Sequence, residues 1–189
     1  MIRVLIADDH PAVRVGLERL LRGEPGIAHV GSAGTAEQAL DEAARVSPDC
    51  AVVDYQLPGG GLDLCWSLKN GDPAPGVIVY SAFAGDGLAV AARLAGADDL
   101  LDKAAPADAI FESIRLVAKG NREIHPPRDA LVRGSQALEA EDLPIFGMLV
   151  EGTRPRDIAE TLKLDGPQFD GRVRHVLRRV EERLRLSAP

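Results

Sequence analysis

Asp8, Asp9, Asp54, Ser81 and Lys103 are the side chains of this sequence whose types suit work on phosphate. Each stands at or just past the end of a short run of strand-type residues. Alone, the pair Asp8-Asp9 would read as solvated loop residues or a helix cap. Gathered in one crevice, three carboxylates repel each other, and a divalent cation is their natural partner. Magnesium suits a site with few carboxylates and retained waters. A cation also neutralises an incoming phosphate, so that one carboxylate can attack phosphorus and become an aspartyl phosphate. Lys103 would then bind a phosphoryl oxygen as a point charge, and Ser81 would donate a hydrogen bond to another.

The elements needed to bring these residues together are legible. Strand-like runs at residues 2–7, 29–33, 50–54, 77–81 and 98–101 alternate with helical stretches at 12–22, 36–46, 62–70, 87–94 and 107–119. That alternation predicts an α/β fold, a doubly wound five-stranded parallel sheet with helices on both faces. Val4-Leu5-Ile6, Ala51-Val52-Val53 and Val77-Ile78-Val79 are apolar without interruption, as strands buried on both faces should be. Pro11, Pro58 and Pro106 follow strands and suit the opening of a loop or helix. In such a sheet function gathers at the carboxyl ends of the strands, where the five side chains fall.

The pattern stops after Gly120. Residues 1–120 form one predicted domain, and residues 121–137, with His125-Pro126-Pro127, read as a linker. Residues 138–189 form a small all-α domain with breaks near Gly152 and at Asp165-Gly166-Pro167. The net charge of −7 argues against a polyanion-binding surface over the whole molecule. Basic residues do collect late, at Arg172, Arg174, Arg178, Arg179, Arg183 and Arg185. No apolar run is long enough to span a membrane, and the N-terminus lacks the blocks of a signal peptide. A cytoplasmic protein without a membrane partner is expected, with Cys50 and Cys65 as buried thiols rather than a disulfide or metal site.

At this level of detail the first domain resembles the receiver domains of two-component response regulators of the NarL/FixJ family, a flavodoxin-like fold. Asp8-Asp9-His10-Pro11-Ala12-Val13-Arg14 is similar to the family's opening. Asp54-Tyr55-Gln56-Leu57-Pro58 resembles its phosphoacceptor segment, Ser81-Ala82 its switch pair, and Gly96-Ala97-Asp98 leading to Lys103 its last strand. The resemblance implies that Asp54 takes a phosphoryl group from a sensor histidine kinase. It also implies that Asp9, Asp54 and the Gln56 carbonyl bind Mg2+ with help from Asp8, and that phosphorylation promotes a homodimer. Leu100 stands where the family usually has Tyr or Phe, the aromatic that turns inward when the switch hydroxyl engages phosphate. Gln56 and Phe83 occupy positions that tune phosphate loss in the family. His10 reads as a loop-lining residue and His175 as a surface one.

The second domain resembles the LuxR-type helix-turn-helix. Met148-Leu149-Val150-Glu151-Gly152 matches its first helix and Asp157-Ile158-Ala159-Glu160-Thr161-Leu162 its scaffold helix. The recognition segment departs from the family: Asp170 replaces a DNA-facing lysine, Gly171 lies inside the helix, and Arg172 replaces a histidine. The resemblance implies transcription regulation by DNA binding through Gln168, Arg172, Arg174 and Arg178. Asp170 and Gly171 carry the alternative, a degenerate helix-turn-helix acting through dimerisation or protein–protein contact. An enzyme reading is weaker. Phosphatases of the haloacid-dehalogenase type resemble the layout but carry Asp-x-Asp after the first strand, where this chain has Asp8-Asp9-His10. No Walker-type phosphate loop occurs, and Gly59-Gly60-Gly61 reads as a flexible loop. A phosphoacceptor signalling protein is expected, not an enzyme with an external substrate.

Overall fold

The structure, a computed structural model, describes residues 1–185, the side chain of Arg185 excepted. The last four residues of the expected second domain lie outside that range. Five strands, β1 (Ile2–Ala7), β2 (Ile27–Ala33), β3 (Cys50–Asp54), β4 (Gly76–Ser81) and β5 (Asp99–Asp102), pair in parallel in the order β2-β1-β3-β4-β5. This is the doubly wound sheet predicted from the alternation. Parallel pairing puts the carboxyl ends of all five strands on one edge. The register sets Asp54 beside Tyr80 and Ser81 beside Asp102.

The helices following the strands are α1 (Pro11–Arg22), α2 (Ala36–Val46), α3 (Gly61–Lys69), α4 (Asp86–Leu94) and α5 (Ala107–Val117). Because side chains alternate along a strand, Val4, Ile6, Val52 and Ile78 share one face. There they are buried with Leu17 and Leu21 of α1 and Ile110 and Ile114 of α5. Burying each such aliphatic side chain contributes about 1.5–3 kcal/mol. On the other face α2 and α3 pack against the sheet, with Leu64, Cys65 and Trp66 buried. The two thiols are buried and free. Burial pushes the Cys65 thiol up to about 12 and Cys50 higher still.

Four further helices follow: α6 (Arg128–Ser135), α7 (Leu143–Glu151), α8 (Pro155–Leu162) and α9 (Gly166–Arg185). Helix α6 lies inside the stretch expected to be linker. Contacts divide the described residues into two units, residues 1–84 with 97–124, and residues 85–96 with 125–185. Helix α4 therefore groups with α6, α7 and α9, although by sequence it belongs to the first domain. The physical reason is packing. A Cβ on Gly134 of α6 would lie 3.3 Å from Val90 of α4, 3.5 Å from Val180 of α9 and 3.6 Å from Phe146 of α7. A side chain at that position would be tight against Val90 and in ordinary contact with the other two, so glycine eases the close packing of the helices. Arg93 Nε of α4 donates to the Val150 carbonyl at 3.0 Å. Within the same unit α9 buries Phe169, Val173, Val176, Leu177, Val180 and Leu184. Asp165 caps α9, accepting from the Gln168 N–H at 2.8 Å, so Pro167 falls harmlessly in the first turn.

Candidate functional site

The carboxyl edge of the sheet brings together Asp8, Asp54, Ser81 and Lys103. Asp8 directly follows β1, Asp54 and Ser81 end β3 and β4, and Lys103 directly follows β5. Asp8, Asp54 and Ser81 are all buried. The Lys103 ammonium donates to Asp8 Oδ2 at 2.7 Å and lies 3.1 Å from Asp54 Oδ2. Its approach to Asp54 is a charge contact without hydrogen-bond alignment, so Asp54 Oδ2 is buried with no hydrogen-bond partner. The other oxygen, Oδ1, accepts from the Gln56 N–H at 3.1 Å. A buried carboxylate oxygen left without a donor is costly unless something binds it.

Burial alone would lower the pKa of Lys103, but its hydrogen bond to Asp8 and the Asp54 charge outweigh that, so it is raised above the ordinary lysine value. The Lys103 charge also sits 5.8 Å from the centre of the Tyr80 ring, and the Tyr80 hydroxyl donates to the Lys103 carbonyl at 3.2 Å. Ser81 Oγ accepts from the Phe83 N–H at 3.1 Å, which leaves the hydroxyl proton available to a ligand. Phe83 itself is 79% exposed. Leu100 is half-buried, opposite Val79 in the ladder.

The first loop is held from several sides. Its His10 N–H donates to Asp8 Oδ1 at 2.8 Å, and Arg14 Nη1 donates to the Asp8 carbonyl at 2.6 Å. His10 is closer to the chemistry than its sequence reading allowed: Nδ1 lies 2.6 Å from Asp9 Oδ1 and 3.4 Å from Asp8 Oδ1. One ligand atom each of Asp8, Asp9, His10 and Asp54 falls within 4.8 Å of the others. Carboxylate oxygens at this spacing, one of them buried and lacking a donor, fit a divalent cation. The glycine run proves to be more than a flexible loop. A Cβ on Gly61 would lie 2.4 Å from the Asp54 carbonyl oxygen and 2.5 Å from that of Tyr55, so only glycine lets α3 begin against the end of β3.

The residues expected to meet DNA are placed differently from one another. Gln168 and Arg178 are exposed on α9. Arg172 instead turns inward: Nε and Nη2 donate to Asp142 Oδ1 at 3.1 and 2.5 Å, and Nη2 also to the Glu141 carbonyl at 2.8 Å. Asp142 is buried, so this pair ties α9 to the start of α7. Arg174 pairs with Asp170 one turn away at 2.9 Å. His175 is half-exposed, 3.9 Å from Asp142 Oδ2. Glu139, Glu141 and Asp142 line one groove with Gln168, Arg172 and His175.

Comparison with known proteins gives the family of the chain. The response regulator receiver domain family matches residues 4–115, most of the chain. The chain belongs to that family. Response regulator GacA of Pseudomonas viridiflava is 35% identical over 127 residues, covering 67% of this chain and 59% of that protein. The DNA-binding transcriptional activator DevR/DosR of Mycobacterium tuberculosis is 29% identical over 177 residues, covering 87% of this chain and 81% of that protein. A crystal structure of a LuxR-family two-component response regulator from Aurantimonas sp. SI85-9A1 superposes with a TM-score of 0.62 at 29% identity. It covers 74% of this chain and 99% of that one. The chain is thus a response regulator of the NarL/FixJ type. Among the described residues no helix is long and apolar enough to cross a membrane.

Proposed function

We propose that this chain is a phosphorylation-dependent transcription regulator that accepts a phosphoryl group on Asp54 from a sensor histidine kinase. One observation carries the reading: Asp54 Oδ2 is buried, lacks a hydrogen-bond donor, and lies 3.1 Å from the Lys103 ammonium among neighbouring carboxylates. An Asp54 oxygen attacks phosphorus, the bond from phosphorus to the kinase's histidine nitrogen breaks, and an aspartyl phosphate results. Lys103 neutralises a phosphoryl oxygen, and the Ser81 proton is donated to another. Asp8, Asp9, Asp54 and the Gln56 carbonyl would hold Mg2+, which supplies further neutralisation of the phosphoryl group. Leu100 repacks as Ser81 moves, and the receiver shifts toward a dimerising state in the cytoplasm, where a kinase's phosphohistidine is met.

The output follows from the relatives. DevR/DosR is named a DNA-binding transcriptional activator, and this chain aligns over most of that protein's length. The DNA-facing groups here are Gln168, Arg174 and Arg178 of α9, with Arg172 contributing to the helix's position. A second reading is favoured by a specific observation, the pairing of Arg172 with Asp142 and of Arg174 with Asp170. Two of the four residues that the sequence offered to DNA are thereby paired within the chain, and the groove beside them carries Glu139, Glu141 and Asp142, which suits a protein partner better than phosphate. Fluorescence anisotropy on promoter DNA, with phosphorylated and unphosphorylated protein over a salt series, separates the two. The DNA reading requires tighter binding after phosphorylation and a steep loss of affinity as salt rises. No binding at any salt would leave the protein-partner reading.

A further inference from the structure

We infer that His10 is a fourth ligand of the acidic pocket, which makes it a site for borderline transition cations of the Co2+, Ni2+ and Zn2+ class. The inference deepens the reading of the pocket as a cation site and rests on it. Its ground is where the imidazole lies. Nδ1 faces Asp9 Oδ1 at 2.6 Å and Asp8 Oδ1 at 3.4 Å, and a ring nitrogen of His10 belongs with one carboxylate oxygen each of Asp8, Asp9 and Asp54 to a set of four ligand atoms within 4.8 Å of one another. A nitrogen that faces the same oxygens a cation must neutralise is itself within reach of that cation.

Two further features support the assignment. The His10 N–H bond to Asp8 Oδ1 at 2.8 Å fixes the backbone from which the ring projects. The ring is therefore tethered at the pocket, yet 65% of the side chain is exposed, which leaves an open path for cation exchange. On the far side of the set, Asp54 Oδ2 is 97% buried as part of its residue's side chain and has no hydrogen-bond donor. Its one close charge is the Lys103 ammonium at 3.1 Å, so the oxygen can still take a further ligand, and one ligand atom of each of the four groups falls within 4.8 Å of the others.

The donor set decides the cation class. Three carboxylates alone are hard oxygen ligands and suit Mg2+, which keeps its waters and accepts few protein groups. An imidazole nitrogen added to them favours the borderline cations, for which nitrogen ligation strengthens binding while it gains Mg2+ little. His10 therefore sets the preference between the two classes, while Asp8, Asp9 and Asp54 set the affinity common to both.

Isothermal titration of tag-free full-length protein with MgCl2 and with CoCl2, at one fixed pH, tests this in wild type, His10→Asn and Asp54→Asn. The Co2+ bound in the pocket is the part that Asp54→Asn abolishes. For that part, His10→Asn should weaken Co2+ by at least about 10-fold, the lower end of what losing even an outer-shell partner costs. Mg2+ affinity should stay within about 2-fold, because magnesium gains little from nitrogen ligands. The Mg2+ titration also reports that the variant's pocket is intact. Equal weakening of both cations, or no change in either, would overturn the role of His10 while leaving the pocket's cation reading in place. Failure of wild type to bind either cation would overturn both.

Discussion

Replacing Arg172 by Ala separates a structural role for this residue from a DNA-reading one. Its guanidinium makes two hydrogen bonds to Asp142 Oδ1 and one to the Glu141 carbonyl. The Asp142 side chain is 5% exposed and that of Arg172 30%. Truncating the arginine leaves a buried carboxylate whose nearest other basic group among the described residues is His175, 3.9 Å away. A fully buried pair broken on one side costs about 3–5 kcal/mol, and a charged hydrogen bond about 1.5–3 kcal/mol. The partial exposure of Arg172 lets water reach the site, so the lower range applies and about 2 kcal/mol is expected. For a small helical unit each kcal/mol moves the midpoint by about 4–8 °C, so the fall should be roughly 8–16 °C. Thermal unfolding of full-length protein, followed by circular dichroism at 222 nm where helix dominates, reads this directly. Asp142→Asn should cost less, since the arginine that remains can still reach water. A solvated, DNA-facing arginine would change stability by no more than about 0.5 kcal/mol. That result for Arg172→Ala, together with a loss of DNA affinity, would refute the structural assignment.

Three other outcomes follow from the same structure. Gly61→Ala forces a Cβ against two backbone carbonyls beside the pocket, so it should destabilise the receiver by about 1–3 kcal/mol and slow phosphoryl acceptance, as read by urea unfolding and by phosphorylation rate. Lys103→Met should destabilise the protein in metal-free buffer at neutral pH, because the raised lysine is the charge partner of Asp8 and Asp54. That difference from wild type should hold below the unfolded lysine value of about 10.4 and vanish only as pH climbs through the higher folded value; a difference lost already by pH 9 would contradict it. Val90→Ala, in a helix that precedes β5 in sequence, should lower the unfolding midpoint of the C-terminal helices by removing a fully buried side chain, at a cost of about 2 kcal/mol; hydrogen exchange resolved by peptide locates the effect.

Much of the receiver was legible because its signals are local. Apolar strands such as Val4-Leu5-Ile6 announce themselves by composition, and parallel topology then obliges their ends to share an edge. That is enough to bring Asp8, Asp54, Ser81 and Lys103 together from residues nearly a hundred positions apart. What stayed hidden depended on partners that composition does not name. Val90, Ala91 and Leu94 mark α4 as a helix with a buried face, yet nothing in them says that the helix packs with α6 and α9. The ring direction of His10 is set by side-chain torsions, which spacing cannot convey. Arg172 carried the same basic signature as Arg178, but a buried carboxylate thirty residues earlier turns one inward and leaves the other exposed. The helix α6 was concealed by His125-Pro126-Pro127, which reads as loop and in fact precedes the first helical residue.

The most direct test of the central claim is intact-mass analysis after incubation with acetyl phosphate and Mg2+, comparing wild type with Asp54→Asn. Wild type should carry a single phosphoryl adduct, released by hydroxylamine as an acyl phosphate should be, and the variant none. An adduct of the same yield on Asp54→Asn, or no adduct on wild type, would contradict it.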